Sequence, residues 1–332
     1  MKWHRVFLYF PLFCCAVSLN AHSQVVWLSP RPAADYLSLF EKNAPWERVS
    51  AQVSVIAMPV NFILNRPDGD LQKIFADMRR RRIKLGVQFM ALSGRPNPDA
   101  PECGLGVEGY SAKGEPLLIA RKVKRLGGQI EYLGMDEPLF FGHRFDRYQE
   151  AEHNPRRRGC QLSIAEVAAD AAERIQMVRT VFPDVIVGEA EPIMEFGEAD
   201  WRADLSTWFD AVHKATGQKL GFFRLDLRWR QAWRPRMPQL AGLLQKDGIP
   251  LQVIYNGSSP NDDAAWVREA EQRFKEFEGD ARIKPESVVF QSWAPSPSRA
   301  LPESDARTMT GLVNTYLKWK AQRGEVVKRL DP

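Results

Sequence analysis

Two acidic residues stand side by side at Asp136 and Glu137, with Pro138 directly behind them. Adjacent carboxyls oppose each other's ionisation, so one of such a pair is pushed toward its protonated form near neutral pH. A proton-bearing carboxyl opposite an ionised one is the equipment of general acid and base chemistry. Glu191 and Asp226 are the candidates for the ionised partner. Other chemistries find less support in the sequence. There is no H-E-x-x-H, no paired cysteine spacing and no G-x-S-x-G. A divalent ion would have to be held by Asp136, Glu137 and His143, an alternative set, and His213 reads as structural on an outer helix. No metal or organic cofactor is expected.

The fold must gather these residues, and the chain alternates short apolar runs with amphipathic stretches. The expected strands are 24–30, 53–60, 85–92, 129–135, 185–190, 220–227, 250–255 and 287–293. The expected helices are 33–49, 71–82, 115–126, 163–181, 205–216, 237–246, 264–278 and 305–318. Ser163 and Glu166 form the S-x-x-E pattern that closes a helix start. Eight strand–helix units are what a closed (β/α)8 TIM barrel requires, and one domain over 24–332 accommodates them. The alternative, an open doubly wound sheet, usually carries a glycine-rich loop after its first strand. Ser29-Pro30-Arg31-Pro32 is not one.

In a barrel, alternate strand residues face the lumen and the site forms at the C-terminal strand ends. Assigning the apolar residues to the helix side sends Arg224, Asp226 and Arg228 inward, and likewise Val187, Glu189 and Glu191. The same rule sends Gln88, Met90, Gln252, Asn256, Gln291, Trp293, Tyr132, Gly134 and Asp136 inward, while Glu137 falls out of phase. Glu189 and Arg224 are expected to form a buried structural ion pair. Asp226, two strands from Glu137, is favoured over Glu191 as the second carboxylate because it leaves more room for a substrate. Trp293, Asn256, Gln291, Tyr255, Arg228, Trp229 and Trp27 are expected to bind substrate.

Gly134-Met135-Asp136-Glu137-Pro138 at the fourth strand, with Ser292-Trp293 at the eighth, resembles the retaining (β/α)8 glycoside hydrolases. The resemblance implies Glu137 as acid/base and Trp293 as the floor beneath the reacting sugar, often after a non-proline cis peptide. Asp136 stands where that group has Asn. Strand seven ends Ile254-Tyr255-Asn256-Gly257 without the Glu that serves there as nucleophile. A carboxyl separation of roughly 5 Å would indicate a covalent intermediate, and about 6.5–9.5 Å inversion by water. The expected activity is therefore glycosidase (O-glycosyl hydrolase) chemistry on a polysaccharide or oligosaccharide. The alternatives are a non-catalytic glycan-binding barrel and a divalent-metal barrel enzyme.

Two loops on the catalytic face are rich in arginine: Arg144, Arg147 and Arg156 to Arg158 after strand four, and Arg228, Arg230, Arg234 and Arg236 with Trp229 and Trp233 after strand six. Interleaved Trp and Arg suit stacking on sugars and capture of carboxylates, hence an expected anionic substrate. Arg79 to Arg82 lie at the opposite end and read as a solvated helix end. Residues 1–23 read as a secretory signal peptide cleaved before Gln24, with Lys2 and Arg5 ahead of an apolar stretch too short to span a bilayer. Its removal leaves 309 of 332 residues, lowers the formal charge from +5 to +3, and retains only Cys103 and Cys160 of the 4 cysteines. A secreted or periplasmic location and a Cys103–Cys160 disulfide follow as expectations. With 46 basic against 41 acidic residues, the chain is no nucleic-acid binder, and with 44% hydrophobic residues it is not disordered. A monomer without a transmembrane segment is expected.

Overall fold

Eight apolar runs form strands β1 (Val25–Ser29), β2 (Val53–Pro59), β3 (Lys84–Phe89), β4 (Tyr132–Asp136), β5 (Ile186–Glu191), β6 (Phe223–Leu225), β7 (Leu251–Tyr255) and β8 (Ser287–Gln291). All pair in parallel with their sequence neighbours, and β1 closes the ring by pairing with both β2 and β8. Trp27 lies opposite Val55 on one side and Val289 on the other. A closed barrel has no free edge, so the doubly wound alternative is excluded. The computed structural model describes residues 24–30, 35–94, 103–145, 158–197, 200–280 and 283–330. The expected leader (1–23), Arg147, His153, Arg156 and Arg157 lie outside the described residues.

The outer layer consists of α1 (Glu47–Ser50), α2 (Asp68–Arg81), α3 (Glu115–Arg125), α4 (Ile164–Arg179), α5 (Trp201–Thr216), α6 (Met237–Asp247), α7 (Asp263–Gly279) and α8 (Met309–Gln322). The capping box forms as its sequence implies: Ser163 Oγ accepts from the Glu166 N–H and the Glu166 carboxylate accepts from the Ser163 N–H. In the first unit the expected long helix divides into Asp35–Leu39 and α1, with Trp46 Nε1 donating to the Leu39 carbonyl across the break at 2.7 Å. A short helix, Val60–Asn65, also precedes α2 and stops ahead of Pro67, because the residue before a proline disfavours helical backbone.

The lumen holds its own apolar cluster of Trp27, Val55, Ala57, Phe222, Ile254 and Val289, separate from the core between strands and helices. Trp27, Tyr132 and Phe222 meet there, with ring centroids 4.8 Å apart for Trp27–Tyr132 and 5.4 Å for Trp27–Phe222. This plug dictates the facing of β5. A Cβ on Gly188 would come within 2.4 Å of the Phe222 ring, so only glycine fits beside it. Gly134 pairs with Gly188 and Asp136 with Ala190, so Gly188 and Ala190 share the lumen with Gly134 and Asp136. Glu189 and Glu191 therefore face the helices, opposite to the sequence expectation. The rule that the outward face is apolar fails here because the lumen needs small residues more than the helix layer needs apolar ones. Glu189 bonds Trp208 Nε1 on α5, and burial pushes its carboxyl up to about 8. Arg224 points the other way, so the expected Glu189–Arg224 ion pair does not form.

A second buried polar group joins the ends of the barrel chain on the side away from the C-terminal strand ends. Glu278 of α7 accepts from Gln24 Nε2 (3.0 Å), Tyr255 Oη (3.0 Å), Tyr316 Oη (3.3 Å) and Lys320 Nζ (3.1 Å). Gln24 also forms a parallel bridge with Val327, and its carbonyl accepts from the Lys328 N–H at 2.8 Å. Tyr255 is thus committed to the helix layer, and its expected role at the site is corrected: position 255 lies one residue out of phase with Gln252 and Asn256. Removing Glu278 takes one acceptor from Gln24, from both phenols and from the Lys320 ammonium, which keeps Glu325 as a second partner while Tyr316 keeps Gln24 Oε1. Glu278→Ala is expected to lower stability by about 1–3 kcal/mol in urea unfolding, whereas a half-buried surface control, Glu271→Ala, which breaks only its pair with Lys275, is expected to change it by less than about 1 kcal/mol.

Candidate active site

Strand β4 ends at Asp136, and the next residue, Glu137, adopts a left-handed backbone with φ 49°. A residue with a Cβ rarely takes that region, which costs on the order of 1–3 kcal/mol and occurs mainly where function requires it. The turn resolves the alternation conflict, because a change of backbone direction frees Glu137 from the strand's phase. Two bonds fix the position: the Glu137 N–H donates to the Ala190 carbonyl, and the Glu137 carbonyl accepts from the Phe141 N–H, both at 3.0 Å. The chain then enters a π-helical turn, Phe140–Arg144. Glu191 holds the start of this turn, its two carboxylate oxygens accepting from the Leu139 N–H (2.7 Å) and the Phe140 N–H (3.1 Å). Its expected catalytic role is corrected: Glu191 acts on the backbone beside Glu137.

Below the mouth the lumen is filled by an ordered series of polar groups. Arg224 stacks over Trp27 (5.1 Å) and Phe222 (5.4 Å) and donates to Gln252 Oε1, while Gln252 Nε2 donates to Ser287 Oγ at 2.9 Å. Trp27 is only 3% exposed and lies beneath Arg224, so the expected contact of Trp27 with substrate is corrected: it is a floor residue. One layer higher, Gln88 Nε2 donates to Asp136 Oδ1 (2.7 Å) and Gln291 Nε2 donates to Gln88 Oε1 (3.2 Å). Asn256 is buried and held by Arg273, which donates to its Oδ1 at 3.0 Å.

The electrostatics separate the carboxyls. Burial is the largest influence on each, and it disfavours the charged form. Glu137 is raised well above the usual range by burial, then by Asp226, Asp136, Glu108 and Glu191 in turn. Asp226 is pushed up to about 6 by burial and by Asp136, against the pull of Arg228 and Arg224. Asp136 is also raised by burial, opposed by its bond from Gln88 and by Arg224. Glu137, surrounded by acidic groups, is thus biased toward its protonated form, whereas the two arginines near Asp226 favour its ionised form. Glu191 too is raised, by burial and by Glu189, with its two backbone donors opposing. Glu108 and Glu195 join this field although neither was singled out from the sequence; the usable signal was their place in loops that follow strands β3 and β5 on the C-terminal face.

Around the mouth, Trp293 is 56% exposed directly beyond β8. The cis peptides among the described residues precede Pro297 and Pro302, so the Ser292–Trp293 bond is trans, a departure from the resemblance. Trp233 is buried and Trp229 packs against it, Tyr255 and Phe277, which makes these indoles part of an aromatic cluster under the loop. Trp229 is thereby corrected from a substrate contact to a packing residue. The arginines have partners of their own. Arg228 donates to Glu195 at 2.7 Å, Arg144 pairs with Asp204, Arg234 with Glu276 at 3.1 Å, and Arg236 donates to the Ile193 and Phe196 carbonyls. His143 turns its Nδ1 to the Leu162 carbonyl at 2.6 Å and faces Asp204, away from the carboxyl cluster.

A disulfide joins Cys103 and Cys160, closing the loops after β3 and β4 across 57 residues. Tyr110 reinforces it: its hydroxyl donates to the Phe141 carbonyl (3.1 Å) and accepts from the Cys160 N–H (3.0 Å). Both devices grip the π-helical turn that follows Glu137. Among the described residues no helix is long and apolar enough to cross a membrane, and no group of three or more His, Cys, Asp or Glu side chains is placed to hold a metal ion.

No family model matches the chain, and no curated protein is similar to it. Several solved barrels are. A family 10 glycoside hydrolase from Paenibacillus barcinonensis is 10% identical over 81% of this chain and 84% of that one, with a TM-score of 0.46. A family 86 glycoside hydrolase solved with neoagarooctaose is 14% identical over 82% of this chain, with a TM-score of 0.45, and this chain spans only 53% of its length. Morphinone reductase, solved with tetrahydroNAD, is 12% identical over 93% of this chain and 89% of that one, with a TM-score of 0.49. These likenesses add nothing to the barrel already described and assign no reaction.

The clustered carboxyls strain the fold in a measurable way. Asp226 in the folded chain keeps until about pH 6 a proton that the unfolded chain releases near 3.8. Stability from this group is therefore fullest below pH 4, falls as pH rises to 6, and stays lowered above. The full penalty is about 3 kcal/mol at 1.36 kcal/mol per unit. Asp226→Asn is expected to stabilise the protein at pH 7 by roughly 1–3 kcal/mol and to leave it unchanged at pH 3.5, as read by urea unfolding at both pH values. Equal effects at the two pH values would contradict the assignment.

Proposed function

We propose that the barrel hydrolyses a glycosidic bond, with Glu137 as general acid and Asp226 as the ionised partner. The observation that carries this reading is the pair of carboxyls at the C-terminal strand ends, one beside acidic groups alone and the other with Arg224 and Arg228 near it. Glycoside cleavage needs that division: one carboxyl protonates the departing oxygen, and the other works at the anomeric carbon as base or nucleophile. Asp136, in its ionised form, would add negative charge where an oxocarbenium-like centre develops, which favours the transition state over the neutral ground state. Glu191, by holding the Leu139 and Phe140 N–H groups, keeps Glu137 on its turn. Trp293 offers an exposed indole for a sugar ring. Gln291 and Asn256 line the same lumen.

The chain is further proposed to act as a monomer outside the cytoplasm, after cleavage before Gln24. The leader pattern and the Cys103–Cys160 disulfide support an oxidising location, because disulfides persist there. The expected anionic substrate is not carried forward, since the described arginines of both loops are engaged with protein groups, apart from Arg158 and Arg230, for which no such partner is assigned.

The purified protein is expected to release reducing ends from a glycan panel, and Glu137→Gln to slow the reaction by about 10²–10⁴-fold. The acidic limb of the rate profile is expected near pH 6 and to disappear in Asp226→Asn. Proton NMR of the first-formed anomer reports whether a covalent intermediate forms. Hydrolysis unchanged in Glu137→Gln would remove the assignment, activity abolished by chelator would replace it with metal chemistry, and binding without hydrolysis would identify a glycan-binding protein.

A further inference from the structure

The carboxylate of Asp136 sets the direction of a hydrogen-bond relay that crosses the lumen from β4 to β8. Gln88 presents its Nε2 to Asp136 Oδ1 at 2.7 Å, so that oxygen accepts and the Gln88 Oε1 is turned away from it. That leaves Gln88 Oε1 facing Gln291, which must answer with its own Nε2, at 3.2 Å. The last group is therefore Gln291 Oε1, an acceptor. Gln291 is 8% exposed, and this oxygen is buried with no hydrogen-bond partner among the described residues. Flipping the amide would set oxygen against oxygen at Gln88. A buried acceptor without a donor is costly, and a ligand that supplies one recovers that cost on binding.

Acidic groups dominate the charge around the mouth. Asp136, Asp226 and Glu137 face one another, and Glu108 and Glu195 add to their field. Arg228 is engaged with Glu195, and Arg224 lies beneath, occupied by Gln252 and two aromatic rings. An anionic ring would meet carboxylates and the bare Gln291 oxygen together. A hydroxyl donor would satisfy that oxygen.

We infer that Gln291 Oε1 is the acceptor of a subsite beside Trp293 that takes an uncharged, hydroxyl-rich sugar ring and rejects its uronic-acid counterpart. The inference rests on the glycosidase reading and names its substrate class. It is tested by calorimetric binding, at pH 7, of neutral oligosaccharides and matched uronic-acid oligomers to Glu137→Gln protein, alone and combined with Gln291→Met. The neutral ligand is expected to bind at least about tenfold more tightly than the acidic one. Gln291→Met is expected to weaken neutral binding by about tenfold and to abolish the loss caused by a ligand deoxygenated at the donating hydroxyl. Gln88→Met, which frees the Gln291 amide to rotate, is expected to narrow the neutral-to-acidic ratio, and serves also if Gln291→Met does not fold. Equal or tighter binding of the acidic oligomer, no binding of any neutral one, or neutral binding indifferent to both substitutions would overturn the inference. Selective, Gln291-dependent binding by a wild-type protein that hydrolyses nothing would uphold the subsite and remove the glycosidase reading. Hydrolysis with Gln291-independent binding would do the reverse.

Discussion

The arrangement at the mouth depends on one carboxylate bonded to two backbone amides. Glu191 receives the Leu139 and Phe140 N–H groups, which begin the turn after β4 and have no strand or helix partner of their own. With those donors held, the chain can afford the left-handed residue at 137, and from that residue the acid reaches the lumen. One side chain thus satisfies two backbone donors, each of which would be costly to leave buried and unpaired. The disulfide and Tyr110 secure the far side of the same turn. A strained residue persists where its surroundings over-determine it, and here three independent attachments do so.

Beneath that turn, shape decides chemistry. Phe222 and Trp27 occupy the lumen so fully that the facing strands carry glycine at 86 and 188. Glycine on β5 then obliges the intervening Glu189 and Glu191 to leave the barrel interior. The aromatic plug thereby does two things at once: it excludes water from under the carboxyls, raising their proton affinity, and it sends Glu191 to the place from which it can hold the turn.

The barrel was legible because eight apolar runs alternated with amphipathic stretches, and the acid we propose was legible as Asp136-Glu137-Pro138 at the end of a run. Capping at Ser163 and the Cys103–Cys160 bond were readable as well, since each rests on residue types and chain position alone. The facing of β5 was not. Its outward residues are acidic and its inward ones are Gly188 and Ala190, a pattern that inverts the ordinary rule and becomes intelligible only with the bulk of Phe222 beside it. Tyr255, Trp27 and Trp229 were misplaced for a related reason: an aromatic near a strand end has the same letters whether it meets sugar, lumen floor or helix layer. The loop arginines suggested an open basic surface, yet their partners Glu195, Asp204 and Glu276 come from other segments and no local pattern announces them.

The bridge between Gln24 and Val327 has a practical side. It brings residues 24 and 327 together at the end of the barrel where strands begin, opposite the mouth. Anything joined to either residue's side of the chain, whether a purification handle, a surface tether or a second protein, departs from the far pole. A link made at either residue therefore starts from the pole opposite the C-terminal strand ends.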